Sequence, residues 1–383
     1  MQERVAIVGI GSTAFRSISP DVSFREMTYE AAVKAYADAG VEPKDVDTFV
    51  CVSEDYMEGT AIFDEYVPDQ IGAALRPVHT IAGDGLTGIA AAFLQLQTGE
   101  FDIAVVEGHS KASNVRHLSH IEAFALDPVM TRPLALNPRF VAGLEMRRYL
   151  QESGASEEDA AAVVVKNREN ALKNPLAAYP GRFCAHHVMS SPAVAEPLKK
   201  MDVAAPADGA IVVVLARECV ARRLVEQPVY IQGIGWAQDT PDLDMRDWSR
   251  ATYAQLATAM ACRMAKIKDP SREVDFAEID DAFSYKELQH LEAVMLAAPG
   301  QAAAMLRDGY FDADGEIPVN VSGGSLGNGF LYDAAALRAT AEAVTQLRGL
   351  AGGRQVKGAE TCLVQSWRGI PTAAGAVAIL SNH

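Results

Sequence analysis

The chain has 383 residues, 49% of them hydrophobic, and a formal net charge of −16 at pH 7. That length suits about two or three units of ordinary domain size, and the composition suits a packed globular protein rather than a disordered one. The acidic balance argues against nonspecific binding to nucleic acid or to an anionic membrane surface.

The first apolar run, Val5–Gly11, follows no basic n-region and reads as a strand rather than a signal peptide. A helix is expected near Phe24–Gly40, with Met27, Ala31, Ala32, Ala35 and Ala39 on one side. Val46-Asp47 then precedes a short strand, Thr48–Val52. A glycine-rich turn, Ala82-Gly83-Asp84-Gly85, opens a helix over Leu86–Thr98, and the strand Ile103–Glu107 follows. A long excursion comes next: a Pro/Asn-rich turn (Arg132–Pro138), helices over Phe140–Ser153 and Ser156–Asn170, and a loop around Asn174–His187. Such an insertion in a compact α/β unit usually covers a site or forms an interface. The first half closes on the strand Gly209–Leu215.

The pattern then repeats. Val5–Gly11 returns as Val229–Gly235, an offset of 224 (229 minus 5). Val274-Asp275 precedes the strand Phe276–Asp280, and Ser322-Gly323-Gly324-Ser325 leads into a helix near Leu331–Arg348. Strands Thr361–Gln365 and Gly375–Leu380 close the second half. Strands alternating with helices, twice over, predict two similar βαβαβ-type halves with largely parallel sheets covered by helices. The division is 1–108 with 200–222 as the N-terminal half, 109–199 as an inserted loop domain, and 223–383 as the C-terminal half.

No apolar run approaches the ~18–20 residues that cross a bilayer, so a cytoplasmic location is expected. Five cysteines (Cys51, Cys184, Cys219, Cys262, Cys362) are scattered with no C-x-x-C pair, which favours neither a disulfide framework nor a zinc site. No metal is expected in this chain.

Three segments carry a family resemblance: Asp102–Ser113, Lys166–Ala210 and Ile279–Leu288. They resemble D-x-x-L-V-x-G-x-E-K-x-S, N-x-x-N-A-x-x-N-P…D-G-A and H-D-A/C-F-T-x-x-E-L of the thiolase superfamily. The likeness is greatest to sterol-carrier-type thiolases and to lipid-transfer thiolase-like proteins. It covers essentially the whole chain and implies the thiolase fold, a layered α-β-α-β-α core built from the two halves.

Thiolases place a nucleophilic cysteine at a helix N-terminus, where the helix dipole lowers its pKa and backbone N–H groups stabilise an oxyanion. Here that position is Ala82, and no cysteine lies between Cys51 and Cys184. Ala82 and Gly83 still begin an anion-friendly helix end. Asp84 reads either as that helix's N-cap or as a carboxylate acting in the pocket. The family's Gly-His-Pro histidine is replaced by Phe330, after Gly329, and its His-Asp histidine by Asp280, followed by Asp281. Adjacent residues on a strand point to opposite faces, so only one of these two carboxylates is expected to face the pocket, and the resemblance implies that it is Asp280. The alternative is a strand-end carboxylate capping the next helix. In the C-terminal loop Gly369 can offer a backbone N–H. Trp367 and Arg368 would supply an aromatic wall and a cation, or a solvent-facing Arg over a packed Trp.

The thiolase-like aldolases of steroid side-chain degradation also lack the cysteine, and Gly323–Asp333 resembles their G-G-x-L-G-x-x-Tyr-x-His-Gly loop. Phe330 stands at the tyrosine and Tyr332 at the histidine, which leaves Tyr332, Tyr285 and Asp280 as proton carriers. The resemblance implies coenzyme A as part of an acyl-CoA substrate. It also implies a homodimer and a small partner combining an OB-fold with a zinc ribbon. Three readings follow: an aldolase-like enzyme making or cleaving a C–C bond in a β-oxygenated acyl-CoA; an acyl-CoA thiolase or acyltransferase of benzoylsuccinyl-CoA type with a displaced nucleophile such as Cys51; and a non-catalytic subunit of a heteromer.

Overall fold

A computed structural model describes residues 3–53, 66–240, 242–369 and 373–383. The strands used below are β1 (Val5–Ser12), β2 (Thr48–Val52), β3 (Val78–Ile81), β4 (Ile103–Lys111), β5 (Asp208–Arg217), β6 (Val229–Gln238), β7 (Phe276–Glu278), β8 (Thr361–Trp367) and β9 (Ala374–Ser381). The helices are α1 (Phe24–Ala39), α2 (Gly85–Gln97), α3 (Pro138–Ser153), α4 (Glu157–Asn170), α5 (Thr252–Ala265), α6 (Ser284–Ala293), α7 (Gly324–Asn328) and α8 (Ala335–Leu347).

The strands form one nine-stranded ladder in the order β3-β2-β4-β5-β1-β6-β9-β8-β7. The expectation of largely parallel sheets is corrected here, because only β2/β3, β2/β4 and β7/β8 pair in parallel. In the first half β5 returns from the long excursion antiparallel to both β4 and β1, and in the second β9 follows β8 after a short connection and runs antiparallel to both β8 and β6. The halves meet where β1 and β6 pair antiparallel. There Ala6 faces Tyr230, its own counterpart at the offset of 224, as a local two-fold relation between duplicated strands requires.

Alternation along β1 shows the layering. Val5 and Ile7 turn toward the central helices, and Ala6 and Val8 toward α1. The central layer is α2 and α8, whose Leu86, Ile89, Phe93, Leu337 and Val344 fill the space between the two parts of the sheet. The outer layers are α1 on the first half, and α5 and α6 with the inserted α3 and α4 on the second. This is an α-β-α-β-α arrangement.

Local signals set several boundaries. A Ser23–Glu26 capping box starts α1, and Gly40 (φ +67°) ends it. The strand expected to reach Asp280 stops at Glu278. The helix expected from Leu331 begins at Ala335, after the short α7 and a 3₁₀ turn over Tyr332–Ala334. No helix among the described residues is long and apolar enough to cross a membrane.

Candidate active site

The N-terminus of α2 meets the chain segments that leave β7 and β8. Asp84 is the N-cap of α2, its Oδ1 accepting from Thr87 N–H at 3.1 Å. The capping and pocket readings of this residue converge, because the same carboxylate is buried and its Oδ2 accepts from Ser366 Oγ at 2.7 Å. Burial raises the Asp84 pKa, and the bonds from Ser366, Thr87 and Leu86 oppose that rise. The positive helix end, which in a thiolase favours a thiolate, is here occupied by a carboxylate of the chain itself.

Asp280 lies beyond the end of β7. Its N–H donates to Gln365 Oε1 at 3.0 Å, and its Oδ1 accepts from Ala282 N–H at 3.1 Å. Burial pushes its carboxyl up to about 7, with the charges of Asp281 and Asp84 adding to the rise and the Ala282 N–H and Arg338 opposing it. Asp84 and Asp280 are thus brought together, with Gln365 and Ser366 on β8 tying each to the same strand.

Asp281 does other work. It accepts from Asn167 Nδ2 (2.8 Å) and from the N–H groups of Ser325 and Leu326 at the start of α7. The carboxylate reaches the helix only because Gly324 (φ +56°) has no side chain: a Cβ there would stand 2.2 Å from Asp281 Oδ2. The two-face argument fails, since both carboxylates lie past the strand, yet they do serve different neighbours.

Tyr285 points away from this pair, donating to Glu145 Oε2 on α3 at 2.8 Å. The next residue, Lys286, is buried and donates to Glu145 Oε1 and Gln289 Oε1, both at 2.7 Å. Its Nζ stands 4.4 Å from the centre of the Trp367 ring. Trp367 is itself buried, edge-on to Phe283 and His290. It therefore belongs to a packed cluster, and one edge of it lines a narrow cleft with Glu145, Arg246 and Tyr253. Arg368 is half-buried, its N–H donating to Ala374 O, and Gly369 (φ +96°) follows it.

Tyr332 is not brought to the Asp84–Asp280 pair in any recorded contact. It adopts φ +49°, stacks at 4.7 Å on Phe330, and its hydroxyl donates to Glu122 Oε1 at 3.3 Å. Phe330 is fixed by backbone bonds to Ala205 and Ala207, and the Gly329 backbone packs on Ala207 and Tyr179. Ala82 is exposed and Gly83 buried against Thr87. Cys51 is wholly buried within β2, as a core thiol is.

Sequence reasoning missed Glu145, Tyr253, Lys286, His290 and Ser366. No element is expected from the sequence over Ser284–Ala293, whose composition is polar. Nine of its ten residues are nevertheless buried, between the insertion's α3 and α4 and the neighbouring α5. Among the described residues no group of three or more His, Cys, Asp or Glu is clustered to hold a metal ion.

Known proteins share this arrangement. Residues 5–183 match the thiolase N-terminal domain and residues 236–382 the thiolase C-terminal domain-like family. The chain is 33% identical over 364 residues to an acetyl-CoA acetyltransferase of Methanothermobacter thermautotrophicus, covering 93% of this chain and 94% of that one. It is 29% identical to the 17-hydroxy-3-oxo-4-pregnene-20-carboxyl-CoA lyase of Mycobacterium tuberculosis, covering 96% and 97%. Among solved structures, the Ltp2-ChsH2(DUF35) aldolase superposes with a TM-score of 0.85 at 25% identity, covering 99% of this chain and 98% of that one. By its two domains and by these relatives along nearly its full length, the chain belongs to the thiolase family.

Proposed function

We propose that this protein makes or cleaves a C–C bond beside the thioester of a β-oxygenated acyl-CoA, by aldolase-like proton transfer without a cysteine-bound intermediate. The observation that carries the reading is the pair of buried carboxyls, Asp84 and Asp280, at the helix end where the family's thiol would stand, one of them with a pKa of about 7. Burial raises both carboxyls, and the Asp84 charge raises Asp280 further, which favours an ionised carboxylate beside a neutral acid. In the cleavage direction the ionised carboxylate takes the proton of the β-hydroxyl and the C–C bond breaks, releasing an aldehyde or ketone. The bond electrons pass into the acyl-CoA enolate, whose carbon takes a proton from the neutral carboxyl. The account balances with no added reactant.

In this reading Asp280 and Asp84 are the proton carriers. Phe330, Tyr332, Gly329, Ala82, Gly83, Trp367, Arg368 and Gly369 form the surroundings of the acyl group, and Tyr285 supports the Asp280 side through Glu145. The acyl-CoA substrate class rests on the family and on its relatives' names. We carry over a homodimer from the family resemblance, with the exposed edge of β3 as its seam. A small OB-fold and zinc-ribbon partner comes from the same resemblance, and the matched aldolase has a two-component name. The test is direct: purified protein, alone and with its co-encoded partner, receives β-hydroxyacyl-CoA in one arm and β-ketoacyl-CoA plus CoA in the other. Aldehyde or ketone with a shortened acyl-CoA supports the proposal. Two acyl-CoAs from the second arm alone, or no product in either, overturns it.

A further inference from the structure

Behind Asp280 lies a buried chain of polar groups that the proton transfer above does not use. His290 Nδ1 stands 3.0 Å from the backbone oxygen of Asp280, and its Nε2 stands 2.7 Å from the Tyr253 hydroxyl. A carbonyl oxygen can only accept, so Nδ1 carries the hydrogen. A neutral ring then has Nε2 as acceptor, so the Tyr253 hydroxyl donates to it. Tyr253 Oη in turn accepts from Lys286 Nζ at 3.4 Å, and Lys286 is held by Glu145 and Gln289. Gln289 Nε2 donates onward to Trp248 O at 3.2 Å. With the ring neutral, one pattern of donors satisfies the whole chain, and it runs from the Glu145–Lys286 ion pair between α3 and α6 to the peptide of Asp280.

We infer that Glu145, Lys286, Tyr253 and His290 form a tautomer lock: they keep His290 as the Nδ1–H form, which grips the Asp280 carbonyl and so fixes where the Asp280 carboxyl stands relative to Asp84. These are positioning residues, and the inference rests on the proposed role of Asp280. The groups facing Asp280 are Asp84 from α2, Asp281 from its own turn, Arg338 from α8, Lys286 and His290 from α6, and Tyr253 from α5. Burial and the Lys286 charge keep His290 well below its usual pKa, which suits a neutral ring. The inserted segment thereby gains a task beyond covering the site, since its Glu145 anchors the far end of the lock.

The lock is read by nitrogen NMR on the full-length protein with labelled histidine, His290 being assigned by its loss in His290→Asn. The expected signal is a neutral Nδ1–H tautomer from pH 5 to 8, mixed with the other tautomer in Tyr253→Phe. In turnover, His290→Leu lowers kcat about 100-fold with little change in KM, the scale of a misplaced reacting group. His290→Asn, whose amide can still donate to the carbonyl, restores most of it. A charged or Nε2–H His290 at pH 7 overturns the inference, as does a His290→Leu variant with full kcat beside an inactive Asp280→Asn. If Asp280→Asn itself keeps full activity, the proposed function fails, while the tautomer measurement still decides the lock separately.

Discussion

The two halves start their central helical segments in different ways, and the contrast separates a fully satisfied carboxylate from one with acceptor capacity to spare. In the second half Asp281 is brought in from outside α7 and accepts three hydrogen bonds, from Asn167, Ser325 and Leu326. In the first half Asp84 caps its own helix, and beside it Asp280 has a single recorded bond to its carboxylate, from Ala282. Neighbours in sequence, Asp280 and Asp281 are equally sequestered from solvent but unequally satisfied. Burial raises both carboxyls, but Asp281 spends its oxygens on three N–H donors, whereas Asp280 keeps acceptor capacity with which a proton can be exchanged.

The strongest way to break the contrast is Asp281→Ala. It leaves two helix N–H groups without their acceptor and takes one of two bonds from the Asn167 amide, which keeps Glu287, and should cost about 3–5 kcal/mol, read as a lowered urea midpoint. A loss below about 1 kcal/mol would mean that Asp281 is not structural.

Asp280→Asn should act in the opposite sense. Burial pushes the folded-state carboxyl up to about 7 from its ordinary value of 3.8, so the native protein binds more protons than the unfolded chain between those values. The stability this group contributes is complete below about pH 4 and is lost as pH rises through 7. The amide escapes that loss, so the variant should match wild type near pH 4 and be more stable at pH 8, by on the order of 3 kcal/mol. A shallower slope remains from Glu278, which also titrates at about 7. Equal thermal midpoints at pH 8 would contradict the assignment.

Gly85→Ala tests how closely the central layer is packed where the Asp84 cap begins. A Cβ there would stand 2.5 Å from Leu337 Cγ and 2.6 Å from Leu337 N, so a loss of about 1–3 kcal/mol is expected. Smallest in stability is Ser366→Ala, which removes one bond to Asp84 and should cost about 1 kcal/mol. Because that bond lowers the Asp84 pKa, the variant should also move the acidic group's titration in the pH–rate profile upward.

The duplication was legible because repeated strand, turn and helix patterns survive as local sequence. The antiparallel return of β5 was not, since its direction is settled by where the long excursion before it ends. Asp280 and Asp84 could be singled out because they stand at or beside positions where family chemistry is missing. Lys286, Tyr253 and His290 could not, for a different reason. Lys286 and His290 stand on the polar α6, which α3 and α4 cover after arriving from more than a hundred residues upstream, and Tyr253 stands on α5, which packs on β6 and β9. Tyr332 illustrates the converse: its spacing placed it among the proton carriers, yet its backbone turn sends the hydroxyl to Glu122.

The central claim is that a carboxyl, not a thiol, performs the proton transfer. The most direct measurement is the pH dependence of kcat/KM for β-hydroxyacyl-CoA cleavage in wild type and Asp280→Asn. A limb near pH 7 in wild type, with at least a 100-fold loss in the variant, is the predicted result. A flat profile through pH 7, or a variant as fast as wild type, would contradict it.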